Sequence, residues 1–279
     1  MTVPSKMWGY DVPRVAARES AGGTQSVERA LSLLSAFTEE HPERRISELV
    51  TATGLGQSTV SRLVGALVNL GYLTHHGRSG LYGIGPRVIT LAGIGLNQSP
   101  VHQQSRQLAQ NLAATLGLGV NVAERHGASL FYLCHFEGAN APRPSTLIGR
   151  GGPLHATAMG KALVSELAPT ELRDLIGTEY ARYTPHTVTT FEELEGRLQE
   201  VRSRGYATEL EELAFGRACV AAPIRDRSGQ IMAALSVSGP LSAMNLPARQ
   251  DELAMIAIEH ADQISSNLGY HATVTALPG

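Results

Sequence analysis

Residues 46–73 read ISELVTATGLGQSTVSRLVGALVNLGYL, and this stretch decides how the first part of the chain folds. Apolar residues recur at helical spacing on both sides of Gly54, which supplies the left-handed conformation that commonly ends a helix. We therefore predict a short helix over 45–53, a turn at Gly54, and a second helix that starts at Gln57 or Ser58. The inward face of this second helix is expected to comprise Val60, Leu63, Val64, Leu67 and Leu70.

Two further elements flank this pair of helices. A helix is predicted to begin near Thr24, because apolar residues follow at helical spacing: Val27, Ala30, Leu31, Leu34 and Phe37. Downstream, the strand-like runs 72–76 and 81–84 surround a turn that carries Arg78, which indicates a hairpin with a basic tip. A helix-turn-helix with a supporting helix before it and a hairpin after it predicts a winged helix-turn-helix.

The exposed positions at the start of the second helix carry groups that suit the major groove of DNA. They are Gln57, Ser58, Thr59, Ser61 and Arg62. No Asp or Glu occurs between Glu48 and Glu124, so carboxylates do not repel phosphate along this part of the chain. Arg78 is expected to meet a phosphate or the minor groove. A glycine turn between amphipathic helices also occurs in enzymes, but the supporting helix and the basic hairpin favour DNA binding.

Composition sets the outer limits of the prediction. With 279 residues, 43% of them hydrophobic, the chain can bury one large core or two modest ones, and we expect two domains. The net charge of −2 provides no overall attraction to nucleic acid. The two cysteines, Cys134 and Cys219, form no CxxC motif, and no apolar run reaches the ~18 residues of a membrane span. We expect a cytoplasmic protein without a membrane partner.

The second part of the chain alternates between helical and strand-like patterns. A boundary is predicted at 97–100, where Asn, Gln, Ser and Pro interrupt a helical stretch. Beyond it, strands are predicted over 119–124, 129–137, 206–210, 218–224 and 230–238, and helices over 101–116, 157–167, 169–176, 191–204 and 246–268. Strands joined by short turns, then helices, indicate an α+β domain with an antiparallel sheet.

The catalytic alternatives fail on residue spacing. The segment GGPLHATAMGKA resembles the end of a phosphate loop, but His155 stands where that loop requires glycine. The start of a dinucleotide motif at 83–86 lacks its third glycine, and neither HExxH nor GxSxG occurs. For His75 and His76 a solvated strand is favoured over metal binding, and apolar neighbours favour an unreactive, buried Cys219. We expect no catalytic site, no metal and no cofactor.

Several blocks together resemble the IclR family of bacterial transcriptional regulators. They are TQSVERALSLLSAF, ISELVTATGLGQSTVSRLVGALVNLGYL, PLHATAMGKAL, GYATELEELAFGRACVAAPI and ALSVSGP, in this order. The resemblance implies a winged helix-turn-helix, a linker helix and a GAF/PAS-like effector-binding domain with an antiparallel sheet. The expected divisions are a mobile tail over 1–22, the DNA-binding domain over 23–85, the linker over 86–99, the effector domain over 100–270 and a second tail over 271–279.

The resemblance also implies a small-molecule site. Its backbone-amide donors match Ala158 and Met159, and its side chains match Glu209, Cys219, Ser236 and Ser238. Free amides at a helix N-terminus attract oxygen anions, and two serines spaced by two residues share one strand face. Relatives commonly have Asp or Ser where this chain has Glu209, so the pocket should differ in size, and an ionised Glu209 favours an effector with OH or NH donors.

The resemblance implies a ligand-responsive regulator, a repressor of a catabolic operon, whose effector alters operator affinity. Its expected partners are a palindromic double-stranded operator, an organic acid or aromatic metabolite, and further copies of itself as a homodimer or a dimer of dimers. The alternative is a small-molecule enzyme or sensor that uses residues 24–85 only for assembly. That alternative predicts that the protein turns over a bound metabolite and that this activity survives deletion of residues 24–85.

Overall fold

The computed structural model describes residues 24–141 and 146–271, which fall into two compact units that divide between Gln98 and Ser99. The tail predicted over 1–22 lies outside the described residues, as does the tail predicted over 271–279 apart from His271. Each unit is described separately below. In the described part of the chain, every helix is too short or too polar to cross a bilayer.

The first unit is a small helical bundle with a three-stranded sheet. Its elements are α1 (Gln25–Ser35), β1 (Glu43–Arg44), α2 (Ile46–Thr53), α3 (Gln57–Asn69), β2 (Leu73–His76), β3 (Leu81–Ile84) and α4 (Pro86–Gln98). The sheet has the order β1-β3-β2 and is antiparallel throughout. The predicted winged helix-turn-helix is therefore confirmed, with α2 and α3 as the helix pair and β2 and β3 as the wing.

Local chemistry fixes the turn between α2 and α3. The Arg45 N–H donates to Glu48 Oε2 over 2.6 Å at the start of α2, satisfying one of the orphan donors of a helix N-terminus. At the other end Gly54 adopts φ 69° and its N–H donates to Val50 O over 2.9 Å. The core of the unit centres on residues that are almost entirely buried: Leu33, Leu49, Val60, Leu63, Val64, Leu67 and Leu73.

Three apolar residues of this unit point away from its core, contrary to the predicted inward faces. Leu70 is 66% exposed, and Val27 and Leu31 are 59% and 57% exposed. The buried residue of α1 is Leu33, which is not part of the predicted apolar stripe. Helical α4 buries none of its residues within the unit. The helical period identified the apolar faces, but it could not show which apolar residues are buried within this chain and which stay exposed.

The second unit contains a six-stranded sheet and helices. Its elements are α5 (Pro100–Leu116), β4 (Gly119–His126), β5 (Ser129–Phe136), β6 (Gly151–Pro153), α6 (Ala158–Val164), α7 (Pro169–Ile176), α8 (Phe191–Arg204), β7 (Ala207–Leu210), β8 (Arg217–Arg225), β9 (Ile231–Pro240), α9 (Leu241–Met244) and α10 (Leu246–Asn267). The sheet order is β6-β5-β4-β9-β8-β7, and all neighbouring strands are antiparallel. The α+β prediction is confirmed.

Helices cover both faces of this sheet, and successive side chains along each strand point to opposite faces. One face packs against α5 and α10, as shown by the Ser105 hydroxyl of α5 lying 3.4 Å from Cys134 Sγ of β5. The other face packs against α6 and α8 and includes Ala123, Tyr132 and Ala221. Residues that alternate along β4, β8 and β9 therefore separate into two layers. Two short elements, β6 and α9, were not predicted because three or four residues carry no periodic signal.

Gly85, between β3 and α4, lies in close backbone contact with residues 71–72, just after the end of α3. Its N–H donates to Tyr72 O over 2.8 Å, and a Cβ added at Gly85 would overlap the carbonyl oxygen of Gly71. Backbone atoms cannot rotate away as a side chain can. The junction between α3 and the wing therefore requires glycine at this position.

We expect Gly85→Ala to lower the unfolding free energy of the first unit by about 1–3 kcal/mol, as overpacking does. Hydrogen–deuterium exchange of residues 57–85 measures this loss. Gly65→Ala in α3 is the matched control, because an added Cβ there meets open space and alanine favours a helix by up to about 1 kcal/mol. Equal exchange protection in the two variants would contradict the assigned contact.

Candidate functional site

One face of α3 presents polar side chains to solvent. Gln57, Ser58, Ser61 and Arg62 are exposed, whereas Thr59 is half-buried. These residues lie opposite the buried stripe that holds α3 in the bundle. Helix α3 begins after Gly56 without a side-chain cap, so its first N–H groups also remain available to an acceptor. The predicted groove-reading positions thus share one surface, with Thr59 at its inner margin.

The wing tip adds a cation. Arg78 is exposed in a turn closed by the N–H groups of Ser79 and Gly80, which donate to His76 O over 3.1 and 2.9 Å. The two histidines of β2 have structural contacts: His75 stacks on Tyr82 with ring centroids 4.6 Å apart, and His76 Nε2 lies 3.2 Å from Glu43 Oε1. Across residues 24–141 and 146–271, no cluster of three or more His, Cys, Asp or Glu side chains suits a metal ion.

A pocket in the second unit brings together the six positions predicted for a small molecule. It is lined in part by Ala158, Met159, Glu209, Cys219, Ser236 and Ser238. Sheet register explains the convergence, because Glu209 pairs with Cys219 and Cys219 pairs with Ser238 across three adjacent strands. Helix α6 packs over β8 and β9 and closes the pocket from above. The space within this pocket measures about 40 Å³.

The polar floor of this pocket is organised by Asn121 of β4, a residue that the sequence prediction missed. Its Nδ2 donates to both Ser236 Oγ and Ser238 Oγ over 3.2 Å, and His135 Nδ1 donates to its Oδ1 over 2.7 Å. Because the serine oxygens accept these bonds, their hydroxyl hydrogens can point to a ligand. The sequence does contain a signal for Asn121, because it is the one polar residue in the buried run 119–123 of β4.

The β7 side of this pocket is acidic. Glu209 is buried, and its Oε1 accepts the N–H groups of Glu212 and Leu213 over 2.7 and 3.2 Å. Burial raises the pKa of Glu209 to about 7, while those N–H groups and the nearby charge of Lys161 act in the opposite direction. Both the acid and the carboxylate of Glu209 are therefore populated near neutral pH.

Helix α6 contributes backbone donors. The Thr157 hydroxyl donates to Pro153 O over 2.8 Å and accepts from the Gly160 N–H over 3.0 Å, which fixes the start of the helix. The N–H groups of Ala158 and Met159 fall in the first turn, where no helical acceptor exists. The guanidinium-bearing Arg217, also missed from the sequence, lines the same pocket. Hydroxyls, amides and a cation together form a site that suits a carboxylate or another oxygen acceptor.

Comparison with known sequences agrees with this architecture. Residues 95–266 match the family described as bacterial transcriptional regulator IclR C-terminal, and residues 26–77 match the IclR helix-turn-helix domain. The chain belongs to the IclR family. As a member, it is a transcriptional regulator with a DNA-binding helix-turn-helix and a C-terminal effector domain.

Two curated relatives and two solved structures define the similarity. The HTH-type transcriptional regulator XynR of Escherichia coli K12 is 33% identical over 77% of this chain and 85% of its own length. The transcriptional repressor IclR of the same strain is 29% identical over 92% of this chain and 94% of its own. The regulator RHA06195 from Rhodococcus sp. RHA1 has a TM-score of 0.80 at 27% identity, covering 88% and 98% of the two chains. An IclR homologue from Microbacterium hydrocarbonoxydans, complexed with 4-hydroxybenzoate, shares the fold with a TM-score of 0.75 at 23% identity over 87% and 98%.

The raised pKa of Glu209 predicts a pH-dependent stability difference between the wild type and Glu209→Gln. From the ordinary value of 4.5 up to about 7, the folded state holds a proton that the unfolded state has released. Wild-type stability therefore falls with rising pH relative to the variant, by up to about 3 kcal/mol. Urea unfolding of both proteins across this pH range measures the difference.

Glu252→Gln provides the control for this experiment. Its carboxyl is exposed, and a hydrogen bond from Arg249 lowers its pKa, so removing it should change the pH dependence in the opposite direction. If Glu209→Gln and Glu252→Gln changed the pH profile in the same direction, the buried, proton-holding state of Glu209 would be wrong.

Proposed function

We propose that this IclR-family regulator is a repressor of a catabolic operon, and that an effector bound in the second unit alters its affinity for the operator. The observation that carries the proposal is the exposed polar face of α3, which combines Gln57, Ser58, Ser61 and Arg62 opposite a buried stripe. We place its site of action in the cytoplasm and assign the pocket no catalytic step. The DNA-binding domain would comprise residues 23–85, the linker 86–99 and the effector domain 100–270.

Base reading and phosphate binding would be divided between two parts of the first unit. Gln57, Ser58 and Ser61 have side chains that hydrogen-bond base edges in a major groove. Arg62 and the wing residue Arg78 supply the positive charge that phosphate contacts require. Each arginine that neutralises a phosphate releases counterions, so affinity should fall as salt rises. Thr59, being half-buried, would contribute less than its neighbours on α3.

Exposed apolar residues of the first unit support pairing with a second copy. Val27 and Leu31 of α1 and Ile89 of α4 are each more than half exposed, and α4 buries no residue within the protomer. Exposed apolar side chains form an interface where they lie together on one surface. A homodimer would present two α3 helices to a palindromic operator, and pairing of dimers would extend this to a tetramer.

The pocket favours an organic acid that also carries a hydrogen-bond donor, such as a hydroxylated aromatic acid. Its carboxylate would accept from the serine hydroxyls and from the first amides of α6, and its donor would meet Glu209. The cavity of about 40 Å³ is far below the 300–1,000 Å³ of ordinary ligand pockets. Binding would therefore displace the loop at 211–216, and this change in conformation is what can favour one DNA-binding state over another.

The DNA contact is tested with Arg62→Ala. We expect operator affinity to fall about tenfold or more, because each protomer loses one guanidinium from the DNA surface. Fluorescence anisotropy with the protein's own upstream DNA, at moderate salt and with nonspecific competitor, measures the change. Arg197→Ala removes an exposed arginine of α8 and should leave affinity unchanged. Equal affinities for all three proteins, or no sequence-preferring complex at all, would refute the assignment.

The effector contact is tested with Ser238→Ala. Loss of one hydroxyl donor should weaken binding of a matching acid about fivefold, corresponding to ~1 kcal/mol. A panel that includes 4-hydroxybenzoate and benzoate can be screened by thermal shift and the best compound titrated by calorimetry. Ser203→Ala, an exposed serine of α8, is the control. If Ser238→Ala bound the selected acid as tightly as Ser203→Ala, the acid would not be bound by the serine floor.

A further inference from the structure

A larger cavity, more open to solvent, lies on the other side of the loop that leads into α6 from the effector pocket. It measures about 400 Å³, within the range of ordinary small-molecule sites. We name it the lateral cavity; it is lined in part by Leu154, His155, Leu175, Ile176, Tyr180 and Tyr183. None of these six residues lines the effector pocket. The two cavities are thus distinct, although residues 153–159 contribute to both.

The wall of the lateral cavity is preformed. The Tyr180 N–H donates to Thr189 O over 3.0 Å, and the Phe191 N–H donates to Thr178 O over 3.0 Å. These bonds connect the segment after α7 to the start of α8. His155 Nε2 donates to Ala181 O over 3.0 Å and joins the same segment to the α6 loop. A ligand would therefore meet ordered groups and would not have to order a loop.

Three nearly parallel rings determine which chemistry the cavity accepts. The His155 ring stacks on Tyr180 and Tyr183, with centroids 4.9 and 5.8 Å apart. Burial lowers the pKa of His155, so the imidazole is neutral, and burial raises the pKa of Tyr183, so its phenol keeps its proton. Stacked rings with aliphatic neighbours favour a planar aromatic ligand.

Polar groups narrow the ligand class further. The Tyr180 hydroxyl donates to Gly177 O over 3.2 Å, whereas the Tyr183 hydroxyl makes no hydrogen bond within the described residues. The free hydroxyl can donate to a ligand acceptor. Glu179 also lines the cavity and is exposed, so its carboxylate disfavours an anionic ligand. An uncharged ring with a carbonyl-type acceptor fits these groups better than an aromatic acid does.

Hydrogen bonds connect the lateral cavity to Glu209 of the effector pocket. Next to Tyr183, the Thr184 hydroxyl donates to Glu211 O and the Thr187 hydroxyl to Glu212 O, both over 2.6 Å. The Glu212 N–H donates to Glu209 Oε1, and the Glu212 carboxylate pairs with Lys161 Nζ over 2.6 Å. The positive charge of Lys161 also lowers the pKa of both His155 and Glu209. Lys161 therefore interacts electrostatically with a residue from each cavity.

We propose that the lateral cavity is a second small-molecule site for an uncharged, planar aromatic compound with a hydrogen-bond acceptor, and that its occupant changes the effector pocket. Occupancy would act on the α6 loop through His155 and on Glu209 through the two threonines. The coupling part rests on the proposed function, since it presumes that the effector pocket is regulatory. The binding part does not depend on DNA or on the identity of the effector.

Benzamide and benzoate form a matched pair of probes for the full-length protein. They are alike in size, but only benzamide is uncharged, so we expect benzamide alone to shift the Ile176 δ1-methyl resonance saturably. Ile176→Val identifies that resonance in the methyl spectrum. Failure of benzamide to shift it up to the solubility limit would overturn the proposal, as would an equal response to benzoate.

Two variants locate the bound benzamide. Tyr183→Phe removes only the hydroxyl and should weaken benzamide about fivefold, whereas Tyr206→Phe, which alters a tyrosine bonded to Gln250, should not. Ala128→Trp places a large side chain at the exposed margin of the cavity and should abolish binding. Unchanged affinity in both Tyr183→Phe and Ala128→Trp would place benzamide elsewhere and reject the site.

Hydrogen exchange tests the coupling without effector or DNA. Benzamide should slow exchange of the amides over 155–163 and 209–213 in the wild type and not in Ala128→Trp. Saturable binding with no change in these two segments would reject the coupling while retaining the site. Because no operator is present, this outcome is independent of whether the protein represses transcription.

Discussion

The shape of the effector pocket depends on the buried ion pair between Lys161 and Glu212. Lys161 is 1% exposed, and Glu212 Oε1 lies 2.6 Å from its Nζ. Removing either partner would leave the other buried without its hydrogen-bonded counter-group, which is costly. The pair joins α6 to the turn that follows β7. The same turn accepts two threonine hydroxyls and donates to Glu209, so one residue, Glu212, fixes both the acidic wall of the pocket and the segment behind it.

This arrangement explains why the pocket can respond to a ligand. A pair of this kind contributes little net stability, because desolvation offsets much of the Coulomb attraction, yet breaking it costs about 3–5 kcal/mol. Because moving Glu212 away from Lys161 is costly, the turn after β7 should adopt a few defined positions and not a continuous range of them. A ligand OH or NH that donates to Glu209 would favour the ionised carboxylate over the protonated acid. Ligand binding and proton release would thus be linked at this residue.

The sequence supported the fold well where the signal is local. The left-handed Gly54, the helical period of α3 and the strand alternation of β4, β8 and β9 each follow from neighbouring residues. The six pocket positions came from family motifs and meet in one pocket. Asn121 and the Lys161 partner were not predicted, because both depend on residues far apart in the chain. In the sequence, Lys161 stands out only as part of GGPLHATAMGKA, the segment that resembles the end of a phosphate loop.

The exposed Val27, Leu31 and Leu70 mark a different limit of sequence reasoning. Their helical spacing is real, but periodicity states that an apolar face must be covered and not which chain covers it. For a helix such as α4, which buries none of its residues within the chain, we propose a second copy as the partner, because symmetry pairs identical apolar faces. In the proposed homodimer, the same symmetry would allow an α3 helix with one arginine to suffice for DNA. Each α3 would supply half of the base contacts, and the phosphate attraction proposed for Arg62 and Arg78 would be doubled.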